Sequence, residues 1–278
     1  MHSRTLIRAI LGAAALVVLA ACGSQIQTTS GKAYLDRYAA QAATQGSAQP
    51  MDAGIRAAAD VEPLLRFPAR LGIARVDNGR LAPIPPREVE AWLILGQRLG
   101  SGWGEIVAIS PLIAALSRPA ATGSGTPENL CGKTYSECLE KTVQGIRLGA
   151  ARQHVDAVLI YETISRAEVT SNPLAVAKLA LIGFFLPSED VTVESYAQAV
   201  LLDVRNGYTY GMATADSGEP AVALSTSGNQ RAVADRVGRN ADLTAVTNLS
   251  GEVETMLRDL RLALAENRAA QAESAAPR

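Results

Sequence analysis

The stretch Asp156–Ile164 contains Ala157-Val158-Leu159-Ile160, four apolar residues in unbroken succession. An apolar run without alternation suits a strand covered on both faces, as in a parallel sheet flanked by crossover helices. A chain built around such a strand needs parallel neighbours with helices between them, and the flanking sequence supplies both. Phe67–Val76 reads as a strand with Leu71 and Ile73 on one face, and Asn78-Gly79 turns the chain. Prolines 83, 85 and 86 lead into a helix on which Val89, Trp92, Leu93, Gly96 and Leu99 fall at helical spacing. Glu105–Ser110 is a second strand, followed by a Pro/Gly/Thr-rich insert from Pro111 to Lys133. A capped helix with Leu139, Val143, Ile146 and Ala150 on one stripe then returns to Asp156.

Beyond the apolar strand, Val191–Val204 reads as a long strand and Arg205-Asn206-Gly207-Tyr208 places Asn-Gly at a hairpin turn. The return strand runs from Tyr208 to about Ala215. A helical region from about Asn229, interrupted near Gly238, carries Val246, Leu249, Val253, Met256, Leu257, Leu260 and Leu264 on one stripe. The predicted fold class is therefore α/β: a mixed sheet made of a βαβαβ unit followed by a β-hairpin and a C-terminal helix. Helices pack on the sheet, and the crossovers are right-handed.

The start of the chain is of another kind. Arg4 and Arg8 precede an uncharged run from Ala9 to Ala21, too short for the roughly 20 residues that span a bilayer core. A basic start, a short apolar stretch and small residues at its end make a secretory signal peptide. The ending Leu19-Ala20-Ala21-Cys22 resembles the lipobox of bacterial lipoproteins. That resemblance implies cleavage before Cys22, acylation of its sulfur and then of the new amine, with Gly23 pointing to the outer membrane. An ordinary signal peptide with an incidental cysteine, or an uncleaved anchor, is the alternative. Acyl chains on Cys22 would be the membrane partner, and several chains hold far more firmly than one. The expected organisation is a leader at 1–21, a lipidated flexible tether with a possible short helix at 22–66, one α/β domain at 67–264 and a disordered tail at 265–278.

Charge narrows the partners. Of 26 basic and 27 acidic side chains, only Arg4 and Arg8 fall in the leader, which leaves a slightly acidic mature chain. That is no footprint for nucleic acid. Cys131 and Cys138 remain once Cys22 is assigned, and in an oxidising compartment a lone pair reads as a disulfide. Seven residues along one helix would hold them about 10.5 Å apart, too far to bridge. The capping-box pattern Thr134-Tyr135-Ser136-Glu137 removes the problem by starting the helix after Cys131. A metal is the rival, but two cysteines without a nearby histidine are too few ligands.

No other motif defines a chemistry. Gly132-Lys133-Thr134 lacks the upstream glycine and strand of a phosphate loop, position 127 being Pro. Gly100-Ser101-Gly102-Trp103-Gly104 leaves a helix and enters a strand, the reverse of a phosphate cradle. His154 is the only histidine after the leader, so multi-histidine zinc sites are excluded and a Ser-His-Asp site would have to use it. Its expected role is a helix-end residue near the dipole. Asp156 and Glu162 are expected at solvated strand positions. No catalytic, cofactor or metal residue is assigned. Leu174–Leu186 is apolar nearly all round and reads as a helix or strand packed on the sheet, with an association surface or lipid contact as the alternative.

Phe67–Val76, Asp156–Ile164 and the Leu201–Gly207 hairpin together resemble lipoproteins with a TolB-amino-terminal, curli-secretion-lipoprotein-like domain, nearest to the rhombotarget type. The resemblance spans roughly Phe67 to Arg261. It implies a non-enzymatic assembly, secretion-accessory or binding module facing the periplasm, with envelope proteins as partners and possible homo-oligomers. An oligomeric secretion-pore subunit and a periplasmic hydrolase are the alternatives.

Overall fold

The computed structural model describes residues 23–45, 51–116, 134–171, 189–225 and 229–275. In chain order these form β1 (Gln25–Ile26), α1 (Gly31–Gln45), α2 (Ala53–Ala59), β2 (Ala69–Asp77), β3 (Arg80–Ala82), α3 (Pro86–Leu99) and β4 (Trp103–Ala108). There follow α4 (Pro111–Leu116), α5 (Tyr135–Arg152), β5 (Ala157–Ser171), β6 (Glu189–Asp203), β7 (Thr209–Asp216), β8 (Ala221–Ser225) and α6 (Gln230–Ala275). The fold class is the α/β architecture expected from the sequence, with all eight strands in one mixed sheet: six follow the order β1-β7-β6-β5-β2-β3, while β4 pairs with β2 and β8 with β6.

The apolar strand lies where its sequence requires. β5 runs parallel to β2, with Leu71 opposite Ala157 and Ile73 opposite Leu159, and β4 runs parallel to β2 on the other side. β3 takes the rest of that edge as an antiparallel hairpin with β2. β6 pairs with β5 antiparallel along the full 15 residues of each strand. Its outer edge is shared between β7 at one end and β8 at the other.

Pleating sends alternate side chains to opposite layers. Leu71, Ile73, Leu159, Tyr161, Leu201 and Tyr210 face α3 and α6, in a core with Trp92, Leu95, Val246, Leu249 and Leu260. Ala74, Val76, Val158 and Ile160 face the opposite layer, where α5 contributes Ile146 and Ala150. Val158 and Leu159 are both wholly buried, which is why the run cannot alternate.

Four expectations are corrected. Residues 25–45 and 53–66 are not a flexible tether: β1 joins the sheet, two helices form, and Leu65 is wholly buried. The short helix within that stretch does occur, capped by Asp52, whose carboxylate accepts from the Gly54 and Ile55 N–H groups. The tail from Ala265 is helical as far as Ala275, and α6 passes Gly238 without a break. It holds together there because Val233, Val237 and Ala241 pack on Val191 and Val193. On α3 the buried stripe is Glu88, Trp92, Leu95 and Leu99, so Leu93 faces solvent.

Candidate functional site

The segment that follows Cys22 is fastened to the sheet. Gln25 and Ile26 pair with Met212 and Gly211 of β7, and the Gln27 N–H donates to the Tyr210 carbonyl at 2.7 Å. Gly211 makes the pairing possible, since a β-carbon there would stand 2.4 Å from the Gln25 carbonyl oxygen. Downstream, Tyr208 Oη donates to the Thr29 carbonyl at 2.8 Å, and Asn267 Nδ2 donates to Thr28 Oγ1 at 3.0 Å. Glu62 Oε1 accepts from both Ser30 Oγ and the Lys32 N–H at 2.9 Å. Gly31 then enters α1 with a would-be β-carbon 2.3 Å from the Ala59 carbonyl oxygen. A cavity of about 940 Å³ lies beside this segment, between Glu62–Arg66 and the end of α6.

A buried anchor holds the far side of the same structure. Asp203 is wholly buried and accepts from the Arg205 backbone N–H, Arg205 Nε and Nη2, and Tyr210 Oη, all at 2.8–3.0 Å. Tyr210 Oη in turn accepts from the Leu65 N–H at 2.7 Å. Burial raises the Asp203 carboxyl, but the Arg205 and Tyr210 hydrogen bonds outweigh it and leave the pKa below the usual range. Burial and then the Asp203 hydrogen bond push Tyr210 up. The Gly207 N–H donates to the Asp203 carbonyl at 3.0 Å, so the connection between β6 and β7 is wider than a two-residue Asn-Gly turn. Gly207 sits there at φ 77, and Asn206 Nδ2 donates to the Glu62 carbonyl at 2.7 Å.

Two further polar groups lie on the α3/α6 face. Glu88 is 4% exposed, accepts from Tyr161 Oη at 2.7 Å, and has Arg75 Nε at 3.4 Å. Desolvation raises its pKa beyond what Tyr161 and Arg75 recover, and the Asp242 charge adds to the rise. Asp242 of α6 accepts from both Ser165 and Ser195 hydroxyls. Position along β5 separates these serines from His154. Ser165 stands eight residue steps along the strand from Ala157, about 26 Å, so Ser165 and Ser195 form no Ser-His-Asp set with His154.

His154 takes a left-handed conformation, φ 55, after the last turn of α5. It lines a cavity of about 590 Å³ with Arg147, Asp156 and Arg205, where no described lining residue is Ser, Thr or Cys. Asp156 Oδ2 accepts from the Arg70 N–H at 2.9 Å, a structural tie between parallel strands. Glu162 accepts from Tyr135 Oη at 2.7 Å, which with burial pushes the phenol to about 12, and also from Gln198.

Of the sequence-assigned residues, Cys22, Cys131 and Leu174–Leu186 lie outside the described residues. Cys138 is buried near the start of α5, its Sγ 3.2 Å from the Gly79 carbonyl oxygen. Thr134 Oγ1 accepts from the Glu137 N–H at 3.3 Å, so the helix starts after Cys131 as the capping pattern requires. The seat of the amino-terminal segment and the Asp203–Tyr210 pair had no reading in the sequence. The available signal was Asp203 itself, an acid that closes the apolar run Ala199–Leu202. Among the described residues no helix is long and apolar enough to cross a membrane, and no group of three or more potential ligands could hold a metal.

No protein-family model and no curated protein matches the chain. Among solved structures, it is similar to the hypothetical protein CT253 from Chlamydia trachomatis, covering 70% of this chain and 99% of that one. At 14% identity and a TM-score of 0.26, that likeness carries no argument about fold or function.

Proposed function

We propose that this chain is a lipid-anchored lipoprotein of the outer membrane that faces the periplasm and acts as a non-enzymatic assembly, secretion-accessory or binding module. The observation that carries the reading is Leu19-Ala20-Ala21-Cys22 closing a basic-then-apolar leader, the order a lipoprotein export signal requires. The seating of residues 25–32 on the sheet fits it, because a membrane anchor transmits its position only through an ordered connection. Envelope proteins are the partners of this reading, and Cys131–Cys138 is its periplasmic disulfide.

Metabolic labelling with a fatty-acid analogue tests the reading directly. The wild-type chain takes the label and Cys22→Ser remains an unlabelled precursor; a labelled Cys22→Ser protein sinks the proposal. A ring-forming pore subunit is the second reading, favoured by one feature. Among the described residues, β5 beyond Glu162 is paired only with β6, which leaves a strand edge open from Thr163 to Ser171. Acylated protein that migrates as a monomer after mild detergent extraction would dismiss the ring.

A further inference from the structure

We infer that the surface formed by β1, α1 and α2 lies flat against the headgroup layer of the leaflet that holds the acyl chains. The inference rests on lipidation at Cys22 and adds an orientation to it. Only Gly23 and Ser24 separate Cys22 from Gln25, a span of at most about 10 Å. Gln25 does not move freely at the end of that span, because it is paired with Met212 and followed by the hydrogen bonds of Gln27, Thr28, Thr29 and Ser30. An anchor on so short a lead brings the domain onto the membrane with the amino-terminal segment beneath it. The 45-residue tether expected from sequence would have imposed no orientation.

The surface around that point has the composition of an interfacial contact. Ile26 and Ile55 are 39% and 59% exposed, and Tyr34 and Tyr38 stand one helical turn apart on α1 at 39% and 36%. Arg37 lies over the Tyr34 ring, 5.8 Å from its centroid. Tyr34, Arg37 and Ile55 line one groove of about 570 Å³ with Gln27 and Thr29. Tyrosines with an apolar body and a polar tip settle at the headgroup level, and exposed isoleucines gain by leaving water. Across α1, α2 and the caps of α2, Lys32, Arg37 and Arg56 are matched by Asp36, Asp52 and Asp60. The contact therefore uses ring and aliphatic burial and does not depend on anionic lipid.

Hydroxyl-radical footprinting of native tyrosines tests the orientation without disturbing the surface. Tyr135 and Tyr196 are 51% and 38% exposed and serve as internal controls. Tyr135 bonds Glu162 on β5, a strand three places from β1 and about 14 Å from it across the sheet. Tyr196 sits opposite Asp216, five residues along β7 from Gly211, about 16 Å. The acylated full chain on phosphatidylethanolamine vesicles, with and without phosphatidylglycerol, is compared with the same chain made leaderless with Cys22→Ser. The expected result is several-fold protection of Tyr34 and Tyr38 on both vesicle types, with Tyr135 and Tyr196 unchanged. Equal labelling of all four, protection of Tyr135 or Tyr196 instead, or protection only with phosphatidylglycerol overturns the orientation while the anchor stands. Failure of the acylated chain to float with vesicles removes the anchor and this inference with it.

Discussion

Gly211, which pairs with Ile26, lies so close to the Gln25 carbonyl that any side chain at 211 would press into that oxygen and into the Met256 sulfur. The first residues after the proposed lipid attachment are held by a contact that tolerates no added atom. Gly211→Ala is expected to free β1 from β7 and to cost about 1–3 kcal/mol, the usual range for overpacking. Hydrogen exchange at the Gln27 amide, which bonds Tyr210, reads the release apart from global unfolding. Unchanged protection at Gln27 in the Gly211→Ala protein would show that the seat can absorb a methyl group.

The parts of this structure that were legible in the sequence are those whose signal is local. Ala157–Ile160 announced a strand covered twice, and the stripe from Val246 to Leu264 announced its helix, because period and burial coincide over neighbouring residues. The amino-terminal seat depends on pairing between Gln25 and Met212, far apart in sequence, and on two glycines whose meaning is the closeness of a distant backbone. Gln25-Ile26-Gln27 carries no pattern of its own. The end of α6 is different. Ala265–Ala275 is rich in Ala, Glu, Gln and Arg, all strong helix formers, and its propensity was legible but read as a frayed terminus. Its hold on the domain, Asn267 to Thr28 and Arg268 to the Leu65 carbonyl, was not.

Asp203 ties β6, β7 and the Leu65 segment together through Tyr210. Asp203→Asn leaves Tyr210 without a charged acceptor, while Arg205, 44% exposed, can turn to water, so the loss is that of hydrogen bonds to a charged group, about 1.5–3 kcal/mol. The acid dependence has a definite sign. The folded pKa is lowered, so the contribution is full above the unfolded value near 3.9 and is lost as pH falls through the folded value. Urea melts are expected to show a wild-type stability that drops below pH 4 and an Asp203→Asn stability with a shallower drop. Parallel pH profiles would mean that Asp203 is not the group responsible.

Cys138 is buried beside Gly79 and stands four residues after the helix cap Thr134, while Cys131 lies outside the described residues. The proposed Cys131–Cys138 bond closes a short loop and is expected to add roughly 2–3 kcal/mol. Alkylation of protein from the periplasm, denatured without reductant, should modify neither cysteine, and reduction should lower the melting temperature. Two alkylated cysteines under those conditions would remove the bond.

Glu88 is the carboxylate whose surroundings oppose its charge most clearly. Desolvation under α3 is the largest influence, and the Tyr161 hydrogen bond with the Arg75 guanidinium only partly offsets it. A raised carboxyl pKa means that the folded protein favours the protonated acid. Its contribution is fully present below the unfolded value near 4.3 and is lost as pH rises through the folded value. Glu88→Gln keeps the shape and an oxygen for Tyr161 to donate to, while removing the buried charge. The variant's stability relative to wild type is therefore expected to improve as pH rises from 4 toward 8, even if Arg75 loses a partner. Glu88→Ala separates packing from charge, since it opens a void at every pH. Chemical denaturation of the three proteins across that range checks the sign. A Glu88→Gln protein that grows less stable relative to wild type with rising pH would mean that Arg75 pays in full for the desolvation of Glu88.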